Sequence, residues 1–261
     1  MNVRQLFDLK DRVAIVTGGY TGIGRQMAEG LAEAGASLVL CARNLDKCVK
    51  AAEEIGKQTR VETLPLKCDV SSPEDVKSML RATLNKFGKV DILVNNAGIA
   101  TGGLPEDMTL EDWESVIGIN LTGTFLCSKE IGKVMIKAKR GKIINLSSVM
   151  GYRSTEVVSA PAYVTTKGAI ISFTQELAVR WIRHNINVNA IAPGWFPTQM
   201  TDPVISPEKM GKGEELLRSI PARRFGRGDD LKGATVLLAS PASDYIVGQT
   251  IVVDGGTLAR Y

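Results

Sequence analysis

Val13-Ala-Ile-Val-Thr17-Gly18-Gly19-Tyr20-Thr21-Gly22-Ile23-Gly24 decides the architecture of this 261-residue chain. Val13–Thr17 carries no charge and reads as a strand buried on both faces. The glycines behind it allow a tight turn and a close approach of backbone to a ligand. The helix that follows offers unpaired N–H groups and a positive dipole end. The spacing is Gly-x3-Gly-x-Gly, not the Gly-x-Gly-x-x-Gly of the general dinucleotide fingerprint, and no Gly-Lys-Ser/Thr follows, so it is not a P-loop.

Outward from this unit, short apolar strands alternate with amphipathic helices. Strands are expected at Ser37–Cys41, Val61–Leu66, Val90–Val94, Lys142–Leu146, Ile186–Ile191 and within Tyr245–Val253. Helices are expected through about Glu33, over Leu45–Ile55, from Ser72 to a stop at Gly88, over Thr109–Ala138 with an interruption near Gly118–Gly123, and over Pro161–His184. Ser72-Pro73-Glu74-Asp75 supplies a cap, a first-turn proline and acids. Strands joined by helical crossovers imply an α/β fold, a doubly wound Rossmann-type parallel sheet of about seven strands with helices on both faces. No linker divides the motifs, so residues 1–261 are expected to form a single domain. The ligand is expected beyond the strand carboxyl ends, at the switch in strand order.

The bulk composition narrows the partners. Net charge is +4, with one histidine, His184, and four cysteines, Cys41, Cys48, Cys68 and Cys127, without CxxC spacing. No metal site is expected, and the mild charge points to neither nucleic acid nor membrane as partner. The basic run Lys137-Ala-Lys139-Arg140-Gly-Lys142 reads as a solvated helix end, with a phosphate-bearing partner as the alternative. No signal-like core or bilayer-length apolar run is visible, so a cytoplasmic, reduced protein is expected.

Two further features carry chemistry. Tyr163 and Lys167, in Ala-Tyr163-Val-Thr-Thr-Lys167-Gly, share one helix face. The cation is expected to favour phenolate and lower the tyrosine pKa from about 10, making Tyr163 a proton donor or acceptor for carbonyl and alcohol chemistry. The second strand runs out as Cys41-Ala42-Arg43-Asn44. An acid there would bind the ribose hydroxyl of NAD. With none present, Arg43 suits the 2′-phosphate of NADP, and NAD stays the alternative.

At these residues the chain resembles the short-chain dehydrogenase/reductase family over nearly its whole length. The Thr17–Gly24 loop, Asn95-Asn96-Ala97-Gly98, Asp69-Val70, Asn120, Ser148, the Tyr163/Lys167 pair and Pro193-Gly194-Trp-Phe-Pro-Thr198 occur in the family's order and spacing. The resemblance implies nicotinamide hydride chemistry and a homotetramer, or a homodimer, with Thr257–Tyr261 taking part in subunit contact. It implies cofactor contacts at Gly18, Tyr20, Thr21, Gly22, Ile23, Gly24, Arg43, Asn44, Asp69, Val70, Asn96, Ala97, Gly98, Tyr163, Lys167, Pro193, Gly194, Phe196 and Thr198. Its catalytic set is Asn120, Ser148, Tyr163 and Lys167. Tyr163 moves the proton, Ser148 bonds the substrate oxygen (Ser147 is the less favoured choice), Lys167 binds the ribose, and Asn120 holds a relay water. The Gly-Tyr-Arg stretch before Tyr163 and the Pro-Gly-Trp-Phe-Pro-Thr segment are closest to gluconate 5-dehydrogenase-like members.

Trp195 to about Pro221 reads as a substrate lid, rich in Trp195, Phe196, Met200 and Met210, with prolines at 197, 203 and 207. Arg153 is expected to pair a substrate carboxylate. Three functions compete. They are an NADP-dependent dehydrogenase of a small polyol or sugar acid, a 3-oxoacyl-thioester reductase, and a nucleotide sensor without turnover. The sensor is disfavoured because all four catalytic-type residues are present. A serine hydrolase is disfavoured, since no Gly-x-Ser-x-Gly elbow occurs and the sole histidine, His184, lies near a helix end.

Overall fold

Period-two burial in the central strands separates the protein's two cores. In this computed structural model, which describes residues 1–206 and 208–260, the short helix α1 (Val3–Leu6) precedes β1 (Val13–Thr17). Ala14 and Val16 of β1 enter one core and Val13 and Ile15 the other. In β2 (Ser37–Ala42) the same alternation sends Leu38 and Leu40 one way and Val39 and Cys41 the other, as successive residues of a strand must. The first core is closed by α2 (Gly22–Glu33) and α3 (Leu45–Thr59).

The remaining strands are β3 (Thr63–Lys67), β4 (Ile92–Asn95), β5 (Gly141–Leu146), β6 (Ile186–Pro193) and β7 (Thr250–Val253). The second core is closed by α4 (Pro73–Phe87), by α6 (Gly123–Ala138), which follows α5 (Leu110–Ile117), and by α7 (Pro161–Trp181). Three more helices follow β6: α8 (Asp202–Ile205), α9 (Gly213–Ser219) and α10 (Gly228–Ala239). The sheet is parallel throughout, in the order β3-β2-β1-β4-β5-β6-β7. Chain order reverses between β1 and β4, which opens a crevice at their carboxyl ends.

Several boundaries differ from expectation for identifiable reasons. β3 starts at Thr63 rather than Val61, because α3 runs on to Thr59 and is closed by Arg60 at φ +64°. β3 is an edge strand, which is why it tolerates Pro65. The expected interruption near Gly118–Gly123 is a π-helical turn over Gly118–Thr122. A Cβ on Gly123 would lie 2.7 Å from Val70 Cγ2, so close packing demands glycine there. The helix α10 was not anticipated. Asp229, Asp230 and Lys232 interrupt its apolar pattern, yet Leu231 and Leu238 are buried against the first core.

The basic run is partly spent inside the protein. Arg140 Nη2 donates to the nearly buried Asp91 carboxylate at 2.5 Å, with Arg12 also beside it at 3.4 Å. Lys142 Nζ bonds Asp244 at 2.7 Å and Asn187 at 3.1 Å. Among the described residues no helix is long and apolar enough to cross a membrane.

Candidate active site

The glycine loop is bolted to the turn after β4. Thr17 Oγ1 accepts from the Asn96 and Ala97 N–H groups, each at 3.0 Å, and donates to Val94 O at 3.3 Å. Asn96 Nδ2 donates to Thr17 O at 2.8 Å. Gly18 and Gly22 sit at φ +66° and +53°, where side chains strain the backbone. A Cβ on Gly24 would lie 2.3 Å from Asn96 Nδ2. Thr21 heads α2 without capping it through its side chain, which leaves the helix's first N–H groups for a ligand. These features frame a cleft of about 530 Å³, running from Tyr20, Arg43 and Asp69 at one end to Tyr163, Lys167 and Thr198 at the other. Open helix-end donors and a glycine floor that side chains would fill suit the pyrophosphate of a dinucleotide.

At the outer end Arg43 is exposed and Asn44 caps α3, its Oδ1 accepting from Lys47 N at 3.0 Å. The Lys47 ammonium stands 5.9 Å from the Tyr20 ring centre. Asp69 turns its carboxylate to Ser71, accepting from the hydroxyl at 2.6 Å and the N–H at 2.9 Å. These bonds, with the nearby Arg43 charge, hold its pKa below the ordinary carboxylate value. Val70, Asn96, Ala97 and Gly98 line the wall behind.

At the inner end Tyr163 and Lys167 share a face of α7, and the ammonium lies 5.4 Å from the ring centre. The expected lowering of the tyrosine pKa does not hold here. Burial pushes Tyr163 upward, opposed in part by a hydrogen bond from Ser148. Lys167 Nζ donates to Leu146 O at 2.6 Å, and burial pulls its pKa down to about 8. The Lys167 ammonium, turned to Leu146 O, is not among the groups that set the Tyr163 balance, which burial and Ser148 decide. Ser147 donates to Lys167 O at 2.8 Å, while Ser148 is the serine that meets the phenol.

Asn120 lies in the π-helical turn, fully buried. Its side chain clamps Ile99 from both sides, Oδ1 accepting from Ile99 N and Nδ2 donating to Ile99 O, each at 2.9 Å. Nδ2 also reaches Thr166 at 3.2 Å. The side chain is therefore occupied with shaping the Ile99 turn.

Beyond β6 the expectations divide. Thr198 lines the cleft, and its Cγ2 is 3.2 Å from where a Cβ on Gly22 would stand. Pro193 ends β6 and Gly194 N donates to Val253 O at 2.9 Å; neither lines the cleft. Phe196 does not line it either. Its ring is 2% exposed within the first core, and a Cβ on Gly226 would meet it at 2.3 Å. A large apolar ring gains more from burial there than from a half-wet cleft. Trp195 and Arg153 line a separate cleft of about 470 Å³ that borders Val149, next to Ser148. Arg153 Nη1 donates to Arg260 O at 3.0 Å. Ile99, Ile119 and Gln199, none of them expected, also line the nucleotide cleft, as does Met200, expected in the lid. Ile99 and Gln199 directly follow the Asn-Asn-Ala-Gly and Pro-Gly-x3-Thr motifs, which was the available signal.

A family model described as enoyl-(acyl carrier protein) reductase matches residues 18–257. The 2-dehydro-3-deoxy-D-gluconate 5-dehydrogenase of Dickeya dadantii (strain 3937) is 41% identical over 257 residues, spanning 97% of this chain and 98% of that protein. The 3-oxoacyl-[acyl-carrier-protein] reductase of Synechocystis sp. (strain ATCC 27184 / PCC 6803 / Kazusa) is 37% identical over 252 residues, spanning 95% and 97%. The crystal structure of a gluconate 5-dehydrogenase from Burkholderia cenocepacia J2315, in complex with NADP and tartrate, superposes with a TM-score of 0.93 at 33% identity, covering 100% of both chains. The sheet order and cleft, with these relatives, define a nicotinamide-dependent oxidoreductase. The chain belongs to the short-chain dehydrogenase/reductase family.

Proposed function

We propose that this enzyme uses NADP(H) to interconvert a small secondary alcohol of the polyol or sugar-acid kind with its ketone. One observation carries the reading. Tyr163, Lys167 and Ser148 converge at one end of a cleft whose other end presents Arg43 and no carboxylate after β2. Lys47, beside Tyr20, adds a second cation there. Both suit a 2′-phosphate.

The bound nicotinamide supplies or takes the hydride. Tyr163 keeps its proton at neutral pH, since burial raises its pKa. It therefore stands ready to donate to the oxygen of a ketone as negative charge develops. Ser148 donates a second hydrogen bond to that oxygen. Lys167, charged below about 8, leaves Leu146 O to hold the nicotinamide ribose. Asn120 positions the Ile99 turn along the cleft wall.

The substrate class rests on the relatives named for gluconate-type substrates, and on the 470 Å³ cleft where Arg153 would meet a carboxylate. Residues 195–221 would act as lid within one domain of residues 1–261. Pro207 in that lid and Tyr261 at the tail lie outside the described residues. A homotetramer or homodimer in the cytoplasm is the proposed state, with the exposed Phe125 of α6 and the half-buried Phe173 of α7 as a contact face.

A panel of polyols, sugar acids and ketones, followed at the nicotinamide absorbance with both coenzymes, tests the reading. Preference for NADP(H) and turnover of a sugar acid or polyol are expected. A second reading, a 3-oxoacyl-thioester reductase, is favoured by the Synechocystis relative. Turnover of 3-oxoacyl thioesters alone would establish it instead.

A further inference from the structure

The tail after β7 is tied down more tightly than a chain terminus requires. Asp254 holds a turn from the inside. Its Oδ1 accepts from Gly256 N at 2.8 Å and its Oδ2 from Leu258 N at 2.7 Å. Its carbonyl accepts from Thr257 Oγ1 at 2.8 Å. Gly255 and Gly256 make the bend possible at φ +64° and +91°.

Three links then fasten the turn to its surroundings. Ala222 N donates to Gly255 O at 3.0 Å. Arg260 Nη1 donates to Arg218 O of α9 at 2.8 Å. Arg153, on the loop between Ser148 and Tyr163, donates to Arg260 O at 3.0 Å. The tail thus bridges the lid to the serine–tyrosine loop.

What the bridge places is specific. Leu258 packs against Val149, Met150 and Ala160, the same apolar cluster on which Tyr163 rests. Thr257 and Leu258 also line the 470 Å³ cleft, facing Arg153, Glu156, Trp195 and Glu215. Glu156 and Glu215 have no ion-pair partner among the described residues. That lining offers charged acceptors, a guanidinium donor and apolar side chains from Val149, Met150, Val157, Trp195 and Leu258, a combination suited to the hydroxyl-bearing carbon chain of a linear substrate.

We propose that residues 254–260 form the substrate-side wall of the active site, with the Asp254 turn as positioning element and Leu258 as a specificity-determining residue for the distal carbons of a polyhydroxylated substrate. The proposal rests on the reaction centre assigned above. Leu258 supplies the tail's apolar contact for the chain, beside Val149, Met150, Val157 and Trp195, and Asp254 holds it in place.

The experiment compares kcat/KM for six-carbon sugar acids and polyols with kcat/KM for a four-carbon secondary alcohol, in wild type and in Leu258→Ala, Leu258→Val and Leu258→Met. Leu258→Ala should lower the six- to four-carbon ratio about tenfold, and Leu258→Val about threefold, the range that one to a few methylenes support. Leu258→Met, which conserves volume, should restore the ratio. Asp254→Asn should lower it in the same direction. Equal losses on long and short substrates, or an unchanged ratio in Leu258→Val, would overturn the proposal. The reaction-centre reading fails separately, if Tyr163→Phe leaves turnover of the four-carbon alcohol intact.

Discussion

The two halves of the proposed active site, the nucleotide cleft and the separate cleft beside Val149, are built by different means. On the nucleotide side the walls are strand ends and one helix start, locked by Thr17 and Asn96. On the proposed substrate side the walls include α9, of 7 residues and backed by the 4-residue α8, and a tail held by an aspartate turn. Helices that short have little stability of their own. They are held by bonds from side chains to backbone, such as Thr201 Oγ1 to Phe196 O at 2.7 Å. The contrast separates two tasks. Under the proposed function, the regular half would present a fixed seat for a cofactor common to many reactions, and the irregular half would carry the shape that selects a substrate.

The sharpest break of this comparison comes at the junction of the halves. Tyr163→Phe should lower kcat by about a thousandfold while NADPH affinity stays within about threefold, since only the proton donor is removed. Stopped-flow turnover and fluorescence titration check the two parts. A large loss of NADPH affinity would mean that the tyrosine belongs to the seat rather than to the chemistry.

Within the regular half, Arg43→Ala should raise the NADPH dissociation constant about thirtyfold and change NADH little, the scale of a charged hydrogen bond to phosphate. Equal effects on both coenzymes would assign the seat to NAD.

The next effect is a pH dependence. Lys167 carries its charge below about 8 and loses it as pH rises further. NADPH affinity of the free enzyme should therefore fall about tenfold on going from pH 7 to pH 9, and Lys167→Met should flatten that profile. Stability should move the other way. The folded value of about 8 lies below the ordinary 10.5, so between them the unfolded chain binds more protons. The contribution of this lysine to stability then rises with pH across that window. Calorimetry of wild type against Lys167→Met isolates the slope.

The smallest expected effect lies in the irregular half. Arg153→Ala should raise KM about fivefold for acidic substrates and leave neutral polyols unchanged, because the exposed guanidinium contributes a screened charge. An equal KM for acids in variant and wild type would remove Arg153 from the substrate side.

Legibility followed the same division. The glycine loop, the Ser72 cap with its stop at Gly88, and the break at Gly118–Gly123 each have a local cause, so the residues announced them. Phe196 was misplaced because its motif position says where the backbone runs and not which way the ring turns. Gly226, 30 positions on, supplies the space that turns it into the core. Helix α10 escaped notice because its apolar face becomes evident only against α2.

By itself the sequence determined the order of the strands and of helices α2 to α7, the glycine seat and the pairing of Tyr163 with Lys167 on one helix face. Each depends on periodicity and backbone preference within about one helical turn or strand. Only the tertiary structure decided the ionisation of that pair, the commitment of Asn120 to Ile99, and the placing of the tail beside the serine–tyrosine loop. Those depend on desolvation and on contacts between residues far apart in the chain, which no local pattern contains.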